Sequence, residues 1–311
     1  MRSARRQTRF RTGFLLLAAT GLIWGTIGVV GRMIFDRTEL DALEVSWLRT
    51  LFAAPTCLLF GLTMLGRRLF QVTARDLAIM GFLACSIYAF QFLYLIGVDE
   101  IGVSVATLIC LCSIPLMVAL ASIVLFGERP SRSVIVALVA AVGGTALLTI
   151  GQGGAGGKGN LELGITVSLL SAVGATIYTL GSRAIVQRYH PITALALGFP
   201  ITLVVFAPVM RGVQLDANIP WSAWLLLIYL GVGTQGIAYL FFQWGLQTES
   251  ATVASIVTLL EPVLAAALAW VLFDERLGLF GLVGAGMLIA GLVLLSVSPQ
   301  PVGGSGTSRA E

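Results

Sequence analysis

The sequence predicts an all-α integral membrane protein of ten transmembrane helices, arranged as two inverted five-helix repeats. Composition is the first reason: 57% of the 311 residues are hydrophobic, 11% are charged, and the mean hydropathy is +0.95. A soluble domain needs a polar shell and cannot be this apolar. The second reason is a series of long apolar stretches with short connections. The third is a pattern that occurs once in each half of the chain.

The apolar stretches have the length of membrane spans. A helix that rises about 1.5 Å per residue needs about 20 apolar residues to cross a hydrocarbon core of about 30 Å. The short connections leave no room for a soluble domain, which excludes enzymes with large extramembrane catalytic modules. The ten predicted spans are 13–34, 44–65, 76–98, 102–126, 132–150, 161–185, 191–209, 221–245, 251–273 and 277–297.

The first span follows a basic segment, "MRSARRQTRFR", which resembles the start of a signal peptide. No small-x-small cleavage site follows a short apolar core, so we expect the helix to be retained. The four cysteines lie within predicted spans and His190 has no acidic or cysteine neighbour in sequence. We therefore expect no disulfide, no metal site and no cofactor.

The basic residues predict the orientation of the chain. If the amino terminus is cytoplasmic, thirteen of the nineteen basic residues lie on the cytoplasmic side and five on the other, with Arg49 inside a span. This excess follows the positive-inside rule, so we expect both termini in the cytoplasm and the protein in a bacterial inner membrane. The net charge of +4 then reflects topology and contact with lipid, and we expect no nucleic-acid partner.

The two halves of the chain are related. A shift that places Pro115 on Pro262 also aligns Leu-Phe and Glu-Arg pairs farther along each half. We assign the first repeat to 13–150, a glycine-rich linker to 151–160, the second repeat to 161–297 and a flexible cytoplasmic tail to 298–311. Because each half has an odd number of spans, the second enters the membrane from the opposite side. Inverted repeats are typical of transporters that expose a midplane site alternately to each side.

Several segments resemble a known family. These are "LIWGTIGVVGRMI", "IPLMVALASIVLFGERPS", "YLFFQWGLQTESATVAS" and "EPVLAAALAWVLFDERLG". They resemble the paired EamA domains of the drug/metabolite transporter superfamily over about 13–297, and a YddG-type amino-acid exporter is the most similar type. The resemblance implies a ten-helix fold around a central cavity, and it is the basis for expecting export.

Polar and aromatic residues in the spans are the candidate substrate-binding residues. Gln235, Tyr239 and Gln243 are spaced four residues apart, which would place them on one face of a regular helix. Uncharged donors and acceptors beside aromatic surface suit a small ligand with a polar head and an apolar side chain. The alternative is that they form hydrogen bonds between helices that only pack the bundle. The complete candidate set is Trp24, Tyr88, Gln91, Tyr94, Tyr178, Gln235, Tyr239 and Gln243.

Four further residues are candidates for a hinge or for coupling: Pro115, Pro262, Glu261 and Arg49. Each proline removes a helical hydrogen bond, which gives either a fixed kink or a moving hinge. A charged Glu261 near the bilayer centre is costly and needs a partner or a proton. We favour a structural role, in which Glu261 accepts hydrogen bonds near Pro262 or pairs with Arg49. The alternative is proton coupling.

These residues favour a neutral substrate. An exchanger of phosphates or nucleotide sugars needs several basic residues in its interior, and only Arg49 is available. An antiporter for cationic drugs needs an acid in its first helix, and 13–34 contains none. We therefore expect a monomer in the lipid bilayer that exports small zwitterions, chiefly neutral and aromatic amino acids. Other small metabolites, drugs or phosphate-bearing substrates are the alternatives. The sequence has no HExxH motif and no paired intramembrane aspartates, so we do not expect an enzyme.

Overall fold

A computed structural model describes residues 2–127, 130–151, 159–208, 219–273 and 278–297. Most of the predicted glycine-rich linker and the predicted tail at 298–311 therefore lie outside the described residues. So do the Glu-Arg pairs at 128–129 and 275–276 that helped to define the repeat.

The described residues form helices and no strands, as the sequence predicts. The helices are α1 (Arg2–Gly25), α2 (Ile27–Phe35), α3 (Ala42–Leu65), α4 (Ala74–Ile101), α5 (Val103–Phe126), α6 (Arg132–Gly151), α7 (Leu161–Ile185), α8 (Pro191–Phe206), α9 (Trp221–Ile228), α10 (Ala238–Leu246), α11 (Ala251–Val257), α12 (Leu260–Phe273) and α13 (Leu279–Val297). A 3₁₀ turn, Gly66–Phe70, follows α3, and a π-helical segment, Tyr229–Ile237, joins α9 to α10.

Nine helical segments within the described residues are long and apolar enough to cross a membrane. The seventh predicted span, 191–209, is represented by α8, which has 16 residues and ends at Phe206. At about 1.5 Å per residue it extends about 24 Å, somewhat less than a bilayer core. The all-α membrane fold is confirmed, as nine spans and one shorter apolar helix.

The helix pairs are arranged alike in the two halves. The fifth predicted span packs on the tenth through α6 and α13, and the second packs on the seventh through α3 and α8. The third packs on the sixth through α4 and α7, and the first packs correspondingly on the eighth through α1 and α10. An exchange of the two halves leaves this set of neighbours unchanged, which is the pattern of a two-fold related pair of repeats.

The prolines act differently in the two halves. Thr258 and Leu259 lie outside helical structure, so the ninth predicted span is divided into α11 and α12. Pro262 lacks an N–H group and its ring crowds the carbonyl four residues earlier, which belongs to Thr258. That carbonyl accepts a hydrogen bond from the Glu261 N–H instead, at 3.0 Å. Pro115 lies inside α5, which continues through it.

Candidate functional site

The break between α11 and α12 lies against α1, at two of its glycines. A Cβ atom at Gly21 would lie 3.0 Å from the Thr258 carbonyl oxygen, and one at Gly25 would lie 2.7 Å from the Glu261 carbonyl oxygen. Only glycine allows such close backbone approach in a membrane bundle. Gly21 and Gly25 therefore allow α1 to pack closely against the break and the backbone of Glu261.

Glu261 is surrounded by candidate residues from other helices. Its carboxylate interacts electrostatically with Arg49 of α3, Tyr94 of α4 and Tyr239 of α10. The side chain is partly exposed and accepts no hydrogen bond from the residues that the structure describes. The nearby backbone donors of Thr258, Leu259 and Glu261 bond to other backbone carbonyls. The hydrogen bonds expected of a structural Glu261 are therefore not seen.

Arg49 is buried, with 6% of its surface exposed. One terminal nitrogen, Nη2, donates to the Thr234 hydroxyl at 3.2 Å. The Nε donor has no partner among the described residues. Arg49 and Glu261 attract each other across the interior, but within the described part of the chain they form no direct ion pair. The interior thus contains a basic and an acidic side chain that are not in direct contact.

The π-helical segment shapes the wall beside Arg49. A π-helix has wider turns than an α-helix and is frequent at functional sites. The Thr234 carbonyl accepts a hydrogen bond from the Trp24 indole at 3.1 Å, and the Ala238 carbonyl accepts one from the Thr20 hydroxyl at 3.1 Å. Gly231 lets α3 approach, because a Cβ there would lie 2.7 Å from the Arg49 carbonyl oxygen. Arg49 and Trp24 thus both donate to Thr234, Arg49 to its hydroxyl and Trp24 to its carbonyl.

The π-helical segment also divides the predicted polar stripe. Gln235, Tyr239 and Gln243 are all buried, but the two amides point to different neighbours. The Gln235 amide donates to the Thr50 hydroxyl of α3 at 2.9 Å. The Gln243 amide donates to the hydroxyls of Tyr178 and Ser182 in α7, both at 3.2 Å. Because π-helical turns rotate less per residue than α-helical turns, the regular α-helical spacing assumed for the stripe does not apply to this segment.

Tyr239 is at the centre of an aromatic cluster. Its ring lies 4.9 Å from Trp24, 5.6 Å from Tyr178 and 6.1 Å from Phe199, measured between centroids. Phe242 joins the cluster, 5.6 Å from Trp24 and 6.2 Å from Tyr178. Contacts at these distances and angles are favourable packing arrangements for aromatic rings. The sequence prediction included three of these residues and missed Phe199 and Phe242.

The candidate residues of α4 do not all belong to one group. The Gln91 side chain interacts with Tyr239, and the Tyr94 hydroxyl hydrogen-bonds the Thr107 hydroxyl of α5 at 2.6 Å. Tyr88 packs against Phe206 at 4.3 Å, and its buried hydroxyl has no partner among the described residues. Gln91 and Tyr94 thus join the surroundings of Tyr239 and Glu261, whereas Tyr88 is anchored to α8.

A second polar cluster lies where α7 and α10 end. The Arg183 guanidinium and the Gln187 amide donate to the Leu246 carbonyl, and the Gln247 amide donates to the Val186 carbonyl.

Glu249 is 2% exposed, and burial raises its pKa to about 8 against the opposing effect of Arg183. Helix α1 packs there too, since Leu17 fills the space beside Gly245. These contacts join α1, α7 and α10 at this end of the bundle.

A neighbouring part of the same end has a direct ion pair. Asp76 of α4 lies 2.9 Å from Arg188 and accepts a hydrogen bond from the Tyr189 hydroxyl at 2.7 Å. His190 begins α8, and its Nδ1 accepts the Ile192 N–H at 3.4 Å. Within the described ranges no three His, Cys, Asp or Glu side chains are grouped so that they could hold a metal ion. The contacts of Asp76 thus join the start of α4 to the segment between α7 and α8.

Comparison with known proteins gives consistent matches along the whole chain. A model of the EamA-like transporter family matches residues 11–150 and again 162–297. The chain is 27% identical to the uncharacterized transporter YwfM of Bacillus subtilis, over 92% of this chain and 94% of the relative. It is 22% identical to an uncharacterized transporter of Clostridium kluyveri, over 91% and 93%.

Another relative has a named substrate. The chain is 27% identical to a probable terminal-alkyne amino-acid exporter of Streptantibioticus cattleyicolor, over 90% of this chain and 92% of the relative. A solved crystal structure, 18% identical in sequence, superposes with a TM-score of 0.77 and covers 91% of this chain and 96% of its own. At that identity the structural likeness supports the fold alone.

Proposed function

Because the chain belongs to the EamA-like transporter family, we propose that it exports neutral and aromatic amino acids across a bacterial inner membrane. The substrate binds in the interior that Trp24, Gln91, Tyr94 and Tyr239 line. Both termini face the cytoplasm. The family supports a transporter, and the amino-acid exporter among the relatives supports this substrate class.

The aromatic cluster around Tyr239 is the observation that carries the proposal. Its rings offer a broad apolar surface in the interior, next to amide and hydroxyl groups. The side-chain oxygens of Gln235 and Gln243 have no partner in the described part of the chain. Such a surface accommodates an apolar side chain beside a polar head. A phosphate-bearing substrate would need more positive charge than Arg49 supplies.

Alternating access in this proposal uses the broken helix and the contacts between the helix ends around Arg183 and Leu246. The break at Thr258 and Leu259 gives α12 a point about which it can move relative to α11. Hinges are a few residues at the ends of elements that absorb the backbone change. Pro262 is the proposed hinge, with Pro115 as its counterpart in the first repeat. The cluster around Arg183 and Leu246 must separate when that end opens.

Transport by the purified protein in liposomes tests the proposal. We expect uptake of labelled Thr, Met, Phe or Trp that exceeds uptake by protein-free liposomes, and that unlabelled amino acid trapped inside accelerates it by exchange. A parallel series with a labelled sugar phosphate separates the alternative. Transport of the sugar phosphate with no transport of the four amino acids would reject the proposed substrate class and leave the family assignment intact.

A further inference from the structure

We propose that Arg49 and Glu261 together recognise the amino-acid head group, with the guanidinium on the substrate carboxylate and the Glu261 carboxylate on the substrate ammonium. This inference rests on the proposed function and adds the residues that would determine its specificity. It assigns a ligand role to two charged side chains that come from α3 and from the start of α12.

Arg49 has an unused donor in the interior. Its Nη2 is held by the Thr234 hydroxyl, whereas Nε is buried and has no partner among the described residues. A buried charged donor without a partner is unfavourable, so such donors in native structures are normally satisfied by a ligand, a water or an ion. A planar guanidinium is suited to bind a carboxylate through two parallel hydrogen bonds. A substrate carboxylate would supply the missing acceptor.

Glu261 has the complementary property. Its side chain is partly exposed, and its carboxylate accepts no hydrogen bond from the described residues. A charged carboxylate within a membrane requires a partner. Arg49 attracts it electrostatically, yet the two do not form a direct ion pair in the described part of the chain. A substrate ammonium would supply the direct contact that the Arg49 guanidinium does not.

The Arg49 and Glu261 side chains together suit a zwitterion better than a simple amine or a simple carboxylic acid. The interior has one basic and one acidic side chain, and a zwitterion between them would place each charge opposite its counterion without changing the net charge. An amine without a carboxylate leaves Arg49 unpaired, and an acid without an ammonium leaves Glu261 unpaired. Leaving a buried polar partner unpaired is how a site rejects an analogue that lacks the matching group.

The head group and the side chain would bind on opposite sides of Thr234. The Thr234 hydroxyl positions Arg49, and its carbonyl accepts a hydrogen bond from the Trp24 indole, which packs at a tilt against Tyr239 and Phe242. A carboxylate at Arg49 therefore brings the substrate side chain next to the aromatic cluster. This arrangement predicts that the head group is fixed and that apolar side chains of different size are tolerated.

Competition binding with four related compounds tests the inference on the full-length protein in nanodiscs. The compounds displace labelled phenylalanine: phenylalanine itself, phenylalanine amide and phenethylamine, which lack the carboxylate, and 3-phenylpropionate, which lacks the ammonium. For the wild type we expect phenylalanine to bind at least about tenfold more tightly than each analogue, or about 1.4 kcal/mol.

Each variant should weaken the binding of only those compounds that carry the group its side chain is proposed to bind. Arg49→Gln should weaken phenylalanine and 3-phenylpropionate at least about tenfold and leave phenethylamine within about twofold. Glu261→Gln should weaken phenylalanine and phenethylamine and leave 3-phenylpropionate within about twofold. Because phenylalanine then binds weakly, the constants of the variants are measured by calorimetry with each compound. Arg68→Gln and Glu39→Gln, at exposed positions, are the matched controls and should leave all four affinities unchanged.

Each other outcome has a definite meaning. Equal weakening of all four compounds by Arg49→Gln or Glu261→Gln overturns the inference, while amino-acid transport by the wild type still supports the proposed function. A wild type that binds no amino acid rejects the proposed function itself.

If a neutral variant does not fold, Arg49→Lys and Glu261→Asp replace it, and each should weaken the binding of only the compounds with the matching group. A response to a pH gradient that vanishes in Glu261→Gln, with the ammonium preference intact, also overturns the inference and assigns Glu261 to proton coupling.

Discussion

At the scale of single residues, Thr234 connects the features of the site. Its hydroxyl accepts from Arg49 and donates to the Leu230 carbonyl at 2.6 Å, and its own carbonyl accepts from Trp24. No pattern in the sequence distinguishes this threonine, because threonines in membrane helices usually bond only to their own backbone. Arg49 and Glu261 could be recognised from sequence, because charged residues within spans are rare and functional.

Glu249 supports a prediction on pH dependence. Burial raises its pKa to about 8, above the ordinary value of 4.5, so the folded protein retains a proton that the unfolded chain loses between these values. Over that interval the folded state binds more protons, and the free energy of unfolding falls as the pH rises. We expect the melting temperature in detergent to decrease from pH 5 to pH 8.

The comparison of two variants isolates that contribution. Glu249→Gln has no proton to lose and should show a smaller decrease over the same range, whereas Glu39→Gln, at an exposed position, should follow the wild type. A Glu249→Gln variant with the same pH slope as the wild type would show that Glu249 ionises normally in the folded protein.

At the scale of elements, the interruptions of helices decide the site. Pro262 breaks the ninth span, and the π-helical segment redirects Gln235 toward α3 while Gln243 faces α7. α1 supports the break through its glycines. The backbone contact at Gly25 is close, whereas a Cβ at Gly28, three residues farther along the same span, would meet no atom within 4 Å.

These two glycines form a matched pair for mutation. A Cβ at Gly25 would lie 2.7 Å from the Glu261 carbonyl oxygen and 2.8 Å from the Leu264 Cβ, so Gly25→Ala must push α1 away from α12. Overpacking of this kind costs about 1–3 kcal/mol. We expect Gly25→Ala to lower the melting temperature and the transport rate, and Gly28→Ala to change neither by a comparable amount. Equal effects of the two substitutions would contradict the close packing of α1 on the break.

At the scale of the whole molecule, the helix pairs of the two halves correspond, but the site itself is asymmetric. Glu261 has Ile114 as its counterpart under the shift that aligns the prolines, and α5 continues through Pro115. The acidic residue and the broken helix therefore belong to the second half and have no counterpart in the first. The proposed topology determines on which side of the membrane the helix ends around Arg183 and Leu246 lie.

Cysteine labelling tests that topology. In a background without Cys57, Cys85, Cys110 and Cys112, we expect single cysteines at positions 6 and 308 to be protected from an impermeant thiol reagent in intact cells and labelled after lysis. Glu39→Cys, at the exposed turn after α2, should be labelled in intact cells. Labelling at either terminus of intact cells would contradict the arrangement with both ends in the cytoplasm.

The sequence by itself determined the membrane class, the spans and the positions of charge and proline within them. These properties are local: a span is recognised from the length of its own apolar stretch, and Pro262 disturbs the carbonyl four residues before it wherever the helix packs. Only the tertiary structure decided that Arg49, Tyr94 and Tyr239 lie near enough to Glu261 to interact with it electrostatically, because the four residues come from four separate spans. It also decided which face Gln235 presents, since the π-helical segment changes the rotation per residue that a prediction based on regular helical periodicity must assume.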